Sequence, residues 1–382
     1  MSLERAARTF ELTIGQKLMR VHWMSLLVMT LIVSIGLTSL YSVANGSFAP
    51  WGERHVMRFL AGVGLVLVMA VIPREVWLRL ASPGSLVAMC LLVAVMFVGN
   101  EAGGAQRWLT IGGVTFQPSE FMKVALIAAL ARYYQWCGPH MSHPLMVLAP
   151  LCLIAAPVGL MLMQPDLGTA VLLVLLGIGL MFLAGVNIFY FIGSGVVVAS
   201  VQPYVWSSLH AYQRRRIEVF LNPEADPLGA GYHIAQSKIA LGSGGMTGQG
   251  FMQGTQSQRD FLPEKRTDFI FTMFAEEWGF IGSVVLLLLF ALLVLMLLVM
   301  ALRCVSPFAR LIIAGTSGMI FIYTFINVAM VSGLVPVVGV PLPLVSYGGT
   351  SMMTIMISMG LTMCVYVHRG QGFRGGRLGM FY

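Results

Sequence analysis

Ten stretches of mostly apolar residues recur along this chain, at 24–44, 56–72, 84–99, 116–133, 145–163, 167–185, 187–206, 269–302, 310–332 and 344–367. About 20 such residues are what a helix needs to cross the hydrocarbon core of a bilayer. With 58% of 382 residues hydrophobic and 10% charged, there is far more apolar surface than one globular core hides, so lipid must solvate much of it. The expected fold is an all-α integral membrane protein of about ten transmembrane helices, with one long extracytoplasmic loop between helices 7 and 8. The first run ends near Ser42, Val43 and Ala44, which superficially resembles a secretory cleavage site. It is too long for a signal and nine more runs follow, so it is read as a retained span.

Orientation follows from Lys and Arg in the short connections. Arg5, Arg8, Lys17 and Arg20 precede the first run, and Arg74, Arg79, Arg132, Arg303, Arg310, Arg369, Arg374 and Arg377 fall on the same side, against Arg54, Arg58 and Arg107 on the other. Both termini are therefore expected to be cytoplasmic. The organisation is a tail at 1–23, one membrane domain at 24–367 with its long outer loop at about 207–267, and a second tail at 368–382. Cys90, Cys152 and Cys364 fall within spans and Cys137 and Cys304 in cytoplasmic loops, so no extracytoplasmic disulfide is expected. The net charge of +8 does not point to nucleic acid, because more than half of the basic residues are positive-inside anchors.

The interruptions carry the remaining information. In the long loop, Ile234, Lys238, Ile239 and Leu241 suggest a short amphipathic helix on the outer membrane surface. Gly242 to Gly248 lacks the preceding strand and the Lys of a nucleotide loop, and reads as a flexible hinge. The 34 residues from Phe269 to Leu302 would make one helix of roughly 50 Å, so its first turns should stand above the membrane core with Glu276 and Glu277 near the outer interface. Pro336, Pro341 and Pro343 break the connection before Ser346 to Ser351, and such irregular backbone must be buried in protein or line a wet cavity.

Ionisable groups at membrane depth cost roughly 2.5 to 3.5 kcal/mol each, so each asks for a reason. Glu120 and Lys123 lie three residues apart on one helix face, either as a structural ion pair or as chemistry. Asp166 reads as a turn residue or helix cap. Arg214, Arg215 and Arg216 are a solvated basic run or a phosphate site, and lie outside the positive-inside pattern. Asp268 immediately precedes an apolar helix, where Asp is a favoured N-cap. It also stands among Lys265, Arg266 and the Arg run: one base and several cations, the parts needed for a sugar hydroxyl acceptor and a pyrophosphate leaving group.

Six motifs in order resemble the SEDS family of bacterial cell-wall synthases. They are Gln106-Arg107-Trp108, Gln117 to Lys123, Gln164 to Thr169, Asn222 to Tyr232, Leu262 to Phe271 and Ser346 to Ser351. Gly254 to Gln258 resembles the elongation branch rather than the division branch, and Trp278 stands where Leu is expected. The resemblance implies a peptidoglycan glycosyltransferase that polymerises lipid II on the outer face of the bacterial cytoplasmic membrane during elongation. It implies Asp268 as the catalytic base, with Lys123, Glu120, Arg107, Gln117, Asp166, Arg215, Glu277 and Ser346 around the substrate. A divalent cation, Mg or Mn, is the expected helper, with no nucleotide or organic cofactor. The implied partners are a class B penicillin-binding transpeptidase and other elongation-complex proteins. A lipid II flippase and a non-catalytic scaffold are the rival readings.

Overall fold

The computed structural model describes residues 12–102, 105–138, 144–208, 214, 218–222, 229–258 and 265–370. Each of the ten apolar runs is a helix. After a short helix α1 (Ile14–Met19) come α2 (Trp23–Val43), α3 (Trp51–Val71), α4 (Arg74–Val98), α5 (Pro118–Cys137), α6 (Pro144–Met163), α7 (Leu167–Ala184) and α8 (Ile188–Ser208). They are followed by α9 (Ala230–Ser243), α10 (Thr255–Gln258), α11 (Ile270–Leu302), α12 (Pro307–Val331) and α13 (Gly349–Val367). Among the described residues eight helices are long and apolar enough to cross a membrane. The two runs outside that set are α5, which carries Glu120, Lys123 and Arg132, and α8, whose apolar part is the shorter Ile188–Val197. The protein is a multi-pass membrane protein.

Within the bundle α13 runs along α3, α11 along α12, and α12 packs on both α5 and α7. The two described ends of the chain meet at one end of it. There the His22 ring meets that of Tyr366 edge-on with centroids 5.7 Å apart, Lys17 Nζ donates to the Val71 carbonyl (2.7 Å), and the Val305 amide donates to the Arg369 carbonyl (3.4 Å).

Periodicity did not supply the small antiparallel sheet β1 (Asn100–Ala102), β2 (Ala105–Ile111), β3 (Val114–Phe116) between α4 and α5. Two of its strands have 3 residues each, too few for alternation to register. The signal that was available is Gly112-Gly113, which turns β2 into β3 with φ of 58° and 81°, the left-handed pair a tight hairpin needs.

Three features of the outer loop differ from expectation. The helix around Ile234 exists as α9, but its buried face is Ile234, Ser237 and Ala240, packed on α11 and α12, while Lys238 and Ile239 are exposed. Ser237 Oγ donates to the Val331 carbonyl (2.8 Å), so this helix is stitched to the bundle rather than laid on lipid. Secondly, α11 is not one straight rod. Gly279 sits at φ 66°, ψ −163°, a backbone only glycine adopts without strain, and it divides α11 into an outer block and an apolar span. Every residue from Ile270 to Glu277 is buried, so Glu276 and Glu277 do not stand out in water.

Thirdly, the segment read as a flexible hinge is what fills the break. The Gln249 and Gly250 amides donate to the Glu276 and Glu277 carbonyls (3.0 and 3.1 Å), and the Phe280 and Ile281 amides donate to the Gly245 and Met246 carbonyls (2.9 and 3.1 Å). A Cβ on Gly244, Gly248 or Gly279 would strike the opposing main chain. The glycines are there for close approach of two backbones, not for freedom.

The proline-broken connection after α12 is buried in protein, as irregular backbone at membrane depth requires. Residues 342–346 are all buried. A Cβ on Gly36 of α2 would stand 2.8 Å from Val345 Cα, and His55 Nε2 of α3 lies 3.0 Å from the Leu344 carbonyl oxygen.

Candidate active site

Asp268 stands two residues ahead of the first residue of α11. The N-cap position belongs to Phe269, which has no side-chain capping bond, so Asp268 does not occupy the capping place that sequence offered it. What holds this stretch is its main chain. The carbonyls of Arg266, Thr267 and Asp268 accept, in turn, from the Tyr347 amide (2.9 Å), Ser346 Oγ (2.6 Å) and Asn327 Nδ2 (2.8 Å). Ser346 Oγ also accepts from the Leu342 amide (2.8 Å), and Asn327 Nδ2 also donates to the Val340 carbonyl (2.7 Å). The segment before α11 is thereby pinned to the broken connection before α13.

The pinned segment and the elements that hold it carry several cations, and Asp268 itself is partly open. Asp268 is half-buried; Lys265 is buried, the Arg266 guanidinium lies 4.5 Å from the Trp51 ring centre, and that of Arg58 lies 4.9 Å from the Tyr347 ring centre. On one side Gly339, at φ 72°, leaves a gap that a side chain would fill: its Cβ would come within 3.3 Å of Asp268 Oδ2.

Glu120 and Lys123 form a second cluster, in contact as a buried ion pair. Tyr323 of α12 completes it, donating to the two carboxylate oxygens of Glu120 (3.0 and 2.9 Å) and laying its ring 4.4 Å from the Lys123 ammonium. Tyr323 and Asn327 are four residues apart on α12, one face and about 6 Å of rise. One strip of α12 therefore carries both the group that seats Lys123 and the group that grips Asp268. Sequence reasoning missed both. The available signal was a Tyr and an Asn at helical spacing in an otherwise apolar run, where polar groups need partners.

A third cluster joins Arg107, Gln117 and Asp166. Asp166 is the N-cap of α7, accepting from the Thr169 amide (3.4 Å), as its sequence context suggested. Gln117 Nε2 and Ser119 Oγ donate to its other oxygen (3.2 and 3.5 Å), Arg107 Nη1 is 3.7 Å from Oδ1, and the same guanidinium donates to the carbonyls of Gln164 and Pro165. These contacts tie β2 and the starts of α5 and α7 together. Glu277 is elsewhere, buried and accepting from Ser42 Oγ of α2, while Glu276 takes the Gln256 amide (2.9 Å) at the start of α10. Arg215 lies outside the described residues. Among the described residues no group of three or more His, Cys, Asp or Glu side chains is placed to hold a metal ion.

A many-helix membrane protein with a carboxylate pinned beside cations at one end of the bundle defines a class, and sequence comparison identifies the family. The family model described as cell cycle protein, for FtsW, RodA and SpoVE, matches residues 16–371, and the chain belongs to that family. It is 45% identical over 330 residues to the peptidoglycan glycosyltransferase MrdB of Escherichia coli, covering 85% of this chain and 88% of that protein. It is 35% identical over 354 residues to the probable peptidoglycan glycosyltransferase FtsW of Trichlorobacter lovleyi, covering 88% and 91%. Among solved structures, a chain of a peptidoglycan synthase complex that coordinates polymerization and crosslinking superposes with a TM-score of 0.80 at 31% identity, over 92% of this chain and 99% of that one. The rod shape determining protein RodA of Thermus thermophilus gives 0.70 at 28% identity, over 92% and 98%. The family read from six motifs is thus the family found.

Proposed function

We propose that this chain is a peptidoglycan glycosyltransferase that polymerises lipid II at the outer face of the bacterial cytoplasmic membrane during cell elongation. The observation that carries the reading is Asp268, a half-buried carboxylate fixed through its own main chain beside Lys265 and Arg266. Asp268 takes the proton of the acceptor GlcNAc 4-hydroxyl, the freed oxygen bonds to C1 of the donor MurNAc, and the C1–O bond breaks to release undecaprenyl pyrophosphate. Lys123 and Arg215 are assigned to the pyrophosphate, and Arg107, Gln117 and Asp166 shape the wall at the starts of α5 and α7. Since no described cluster holds a metal alone, a Mg or Mn ion would come in on the pyrophosphate, and no step is routed through it.

Both termini are assigned to the cytoplasm, supported by the approach of the described chain ends, where the His22 ring meets that of Tyr366, at the end of the bundle that carries Arg74, Arg132, Arg303, Arg310 and Arg369. Partner to the polymerase is a class B penicillin-binding transpeptidase, supported by the likeness to a synthase complex chain. A flippase needs polar access from both sides. Asp268, Lys265, Arg266, Arg107 and Asp166 all lie toward the opposite end of the bundle from the described chain ends.

The test is Asp268→Asn. All three bonds that pin the segment are accepted by main-chain carbonyls, which the substitution leaves in place. The variant is expected to insert and purify normally with its transpeptidase, yet to form about 10²-fold to 10⁴-fold less glycan polymer from labelled lipid II. Near-normal polymerisation by well-folded Asp268→Asn would refute the base role.

A further inference from the structure

We propose that Asn327 is the positioning residue for Asp268, holding the base by its own carbonyl and setting the depth at which the carboxylate meets the acceptor. The inference rests on Asp268 being the base.

Asn327 lies in α12 and is fully buried, a polar side chain where an apolar one would cost less. Its Nδ2 donates to two main-chain carbonyls, Asp268 at 2.8 Å and Val340 at 2.7 Å. Because both partners are acceptors only, the amide has one orientation and cannot be flipped. Its Oδ1 is buried with no hydrogen-bond partner among the described residues. A buried carbonyl without a partner carries a cost, which the two donated bonds must offset.

The two carbonyls are not arbitrary. One belongs to the base, and the other to the residue after Gly339, whose missing side chain opens the gap beside Asp268 Oδ2. A single carboxamide thus ties the main chain of Asp268 to the residue that follows Gly339, whose own backbone passes beside Oδ2. Ser346 and Tyr347 hold the two preceding carbonyls, so the Asp268 rung is the last of three and the one nearest the chemistry. Directly one turn away on α12, Tyr323 seats Lys123, so the same helix face references the base and the cation to one rigid element. Displacing a positioned group by about 1 Å costs on the order of 10²-fold in rate.

The experiment uses the full chain with its transpeptidase and fluorescent lipid II, comparing Asn327→Ala and Asn327→Gln with wild type by kcat, KM and melting temperature. Gln retains both N–H donors on a stem one methylene longer. The expected result is a kcat lower by about tenfold to 10²-fold with KM within about threefold, for Gln as well as for Ala, because the carboxamide is present but the base is moved. A structural role predicts the reverse: a lower melting temperature and yield, with full kcat per folded molecule, and Gln nearer to wild type than Ala. Full kcat in folded Asn327→Gln overturns the proposal, also where Asn327→Ala fails to fold. If Asp268→Asn is itself fully active, the base assignment falls; if Asp268→Asn is inactive while Asn327→Gln is not, the positioning role alone falls.

Discussion

Replacing Lys123 by Met removes the ammonium that faces Glu120 and leaves a buried carboxylate at 6% exposure. Breaking a buried ion pair from one side costs about 3–5 kcal/mol. Tyr323 still donates to the two carboxylate oxygens, which places the loss at the low end, about 3 kcal/mol. In the double variant Glu120→Gln with Lys123→Met no charge is stranded. Gln still offers Tyr323 a carbonyl and Met fills the lysine stem, so about 1 kcal/mol of loss remains, one hydrogen bond's worth. The two functions of Lys123 then separate. The double variant is expected to melt within about 2 °C of wild type and still to fail in polymerising lipid II, because a buried Glu–Lys pair adds little stability over the uncharged Gln–Met pair that replaces it and its presence needs a reason in the chemistry. Melting in detergent and polymerisation of labelled lipid II with the transpeptidase read the two quantities on one sample. Recovery of polymerisation along with stability would refute the pyrophosphate role and leave Lys123 as the counter-charge of Glu120.

Gly279→Ala adds a Cβ at positive φ against the Thr247–Gly248 backbone, and strain plus overpacking predict a loss of about 2–6 kcal/mol, read as collapse of yield and melting temperature. Cys304 is buried, its thiol pushed up to about 11 by that burial, so at pH 7–8 it is neutral and expected to resist thiol reagents whether or not the membrane is permeable. Orientation is therefore read with Val305→Cys and Met246→Cys, both at exposed positions: in intact spheroplasts an impermeant maleimide should label the second and not the first, and the opposite pattern would invert the topology. Asp166→Ala removes the α7 cap and the partner of Arg107 and Gln117 together, with an expected cost of about 2–4 kcal/mol in melting experiments; an unchanged melting temperature would show the cluster to be loose.

Hydropathy made the helices legible because lipid demands the same 20 apolar residues each time, and the family was legible because six motifs keep their order. The site was legible only in its charged members. Asp268, Lys123 and Glu120 announce themselves as charges at membrane depth, and Asp166 as a cap. Asn327 and Tyr323 did not, since an uncharged polar residue inside an apolar run is cheap enough to be common and its partners lie 59 and 203 positions away in sequence. The break at Gly279 was illegible for a related reason. Apolar periodicity continues through it, and what divides the helix is the approach of a glycine loop some 30 residues upstream, a tertiary fact with no local trace beyond the glycines themselves.

Because the bonds across that break are made by main chain on both sides, residues 244–250 act as a splint whose grip does not depend on any side chain. The Gln249, Gly250, Phe280 and Ile281 amides should exchange with solvent deuterium as one group, released only when loop and helix part together. The block from Phe269 to Trp278 is then tied to the outer loop by main chain and set off from the span below it by the break at Gly279. A push delivered to the splint from outside the membrane would travel through that block to Asp268 and, through the Asp268 carbonyl, to Asn327 of α12.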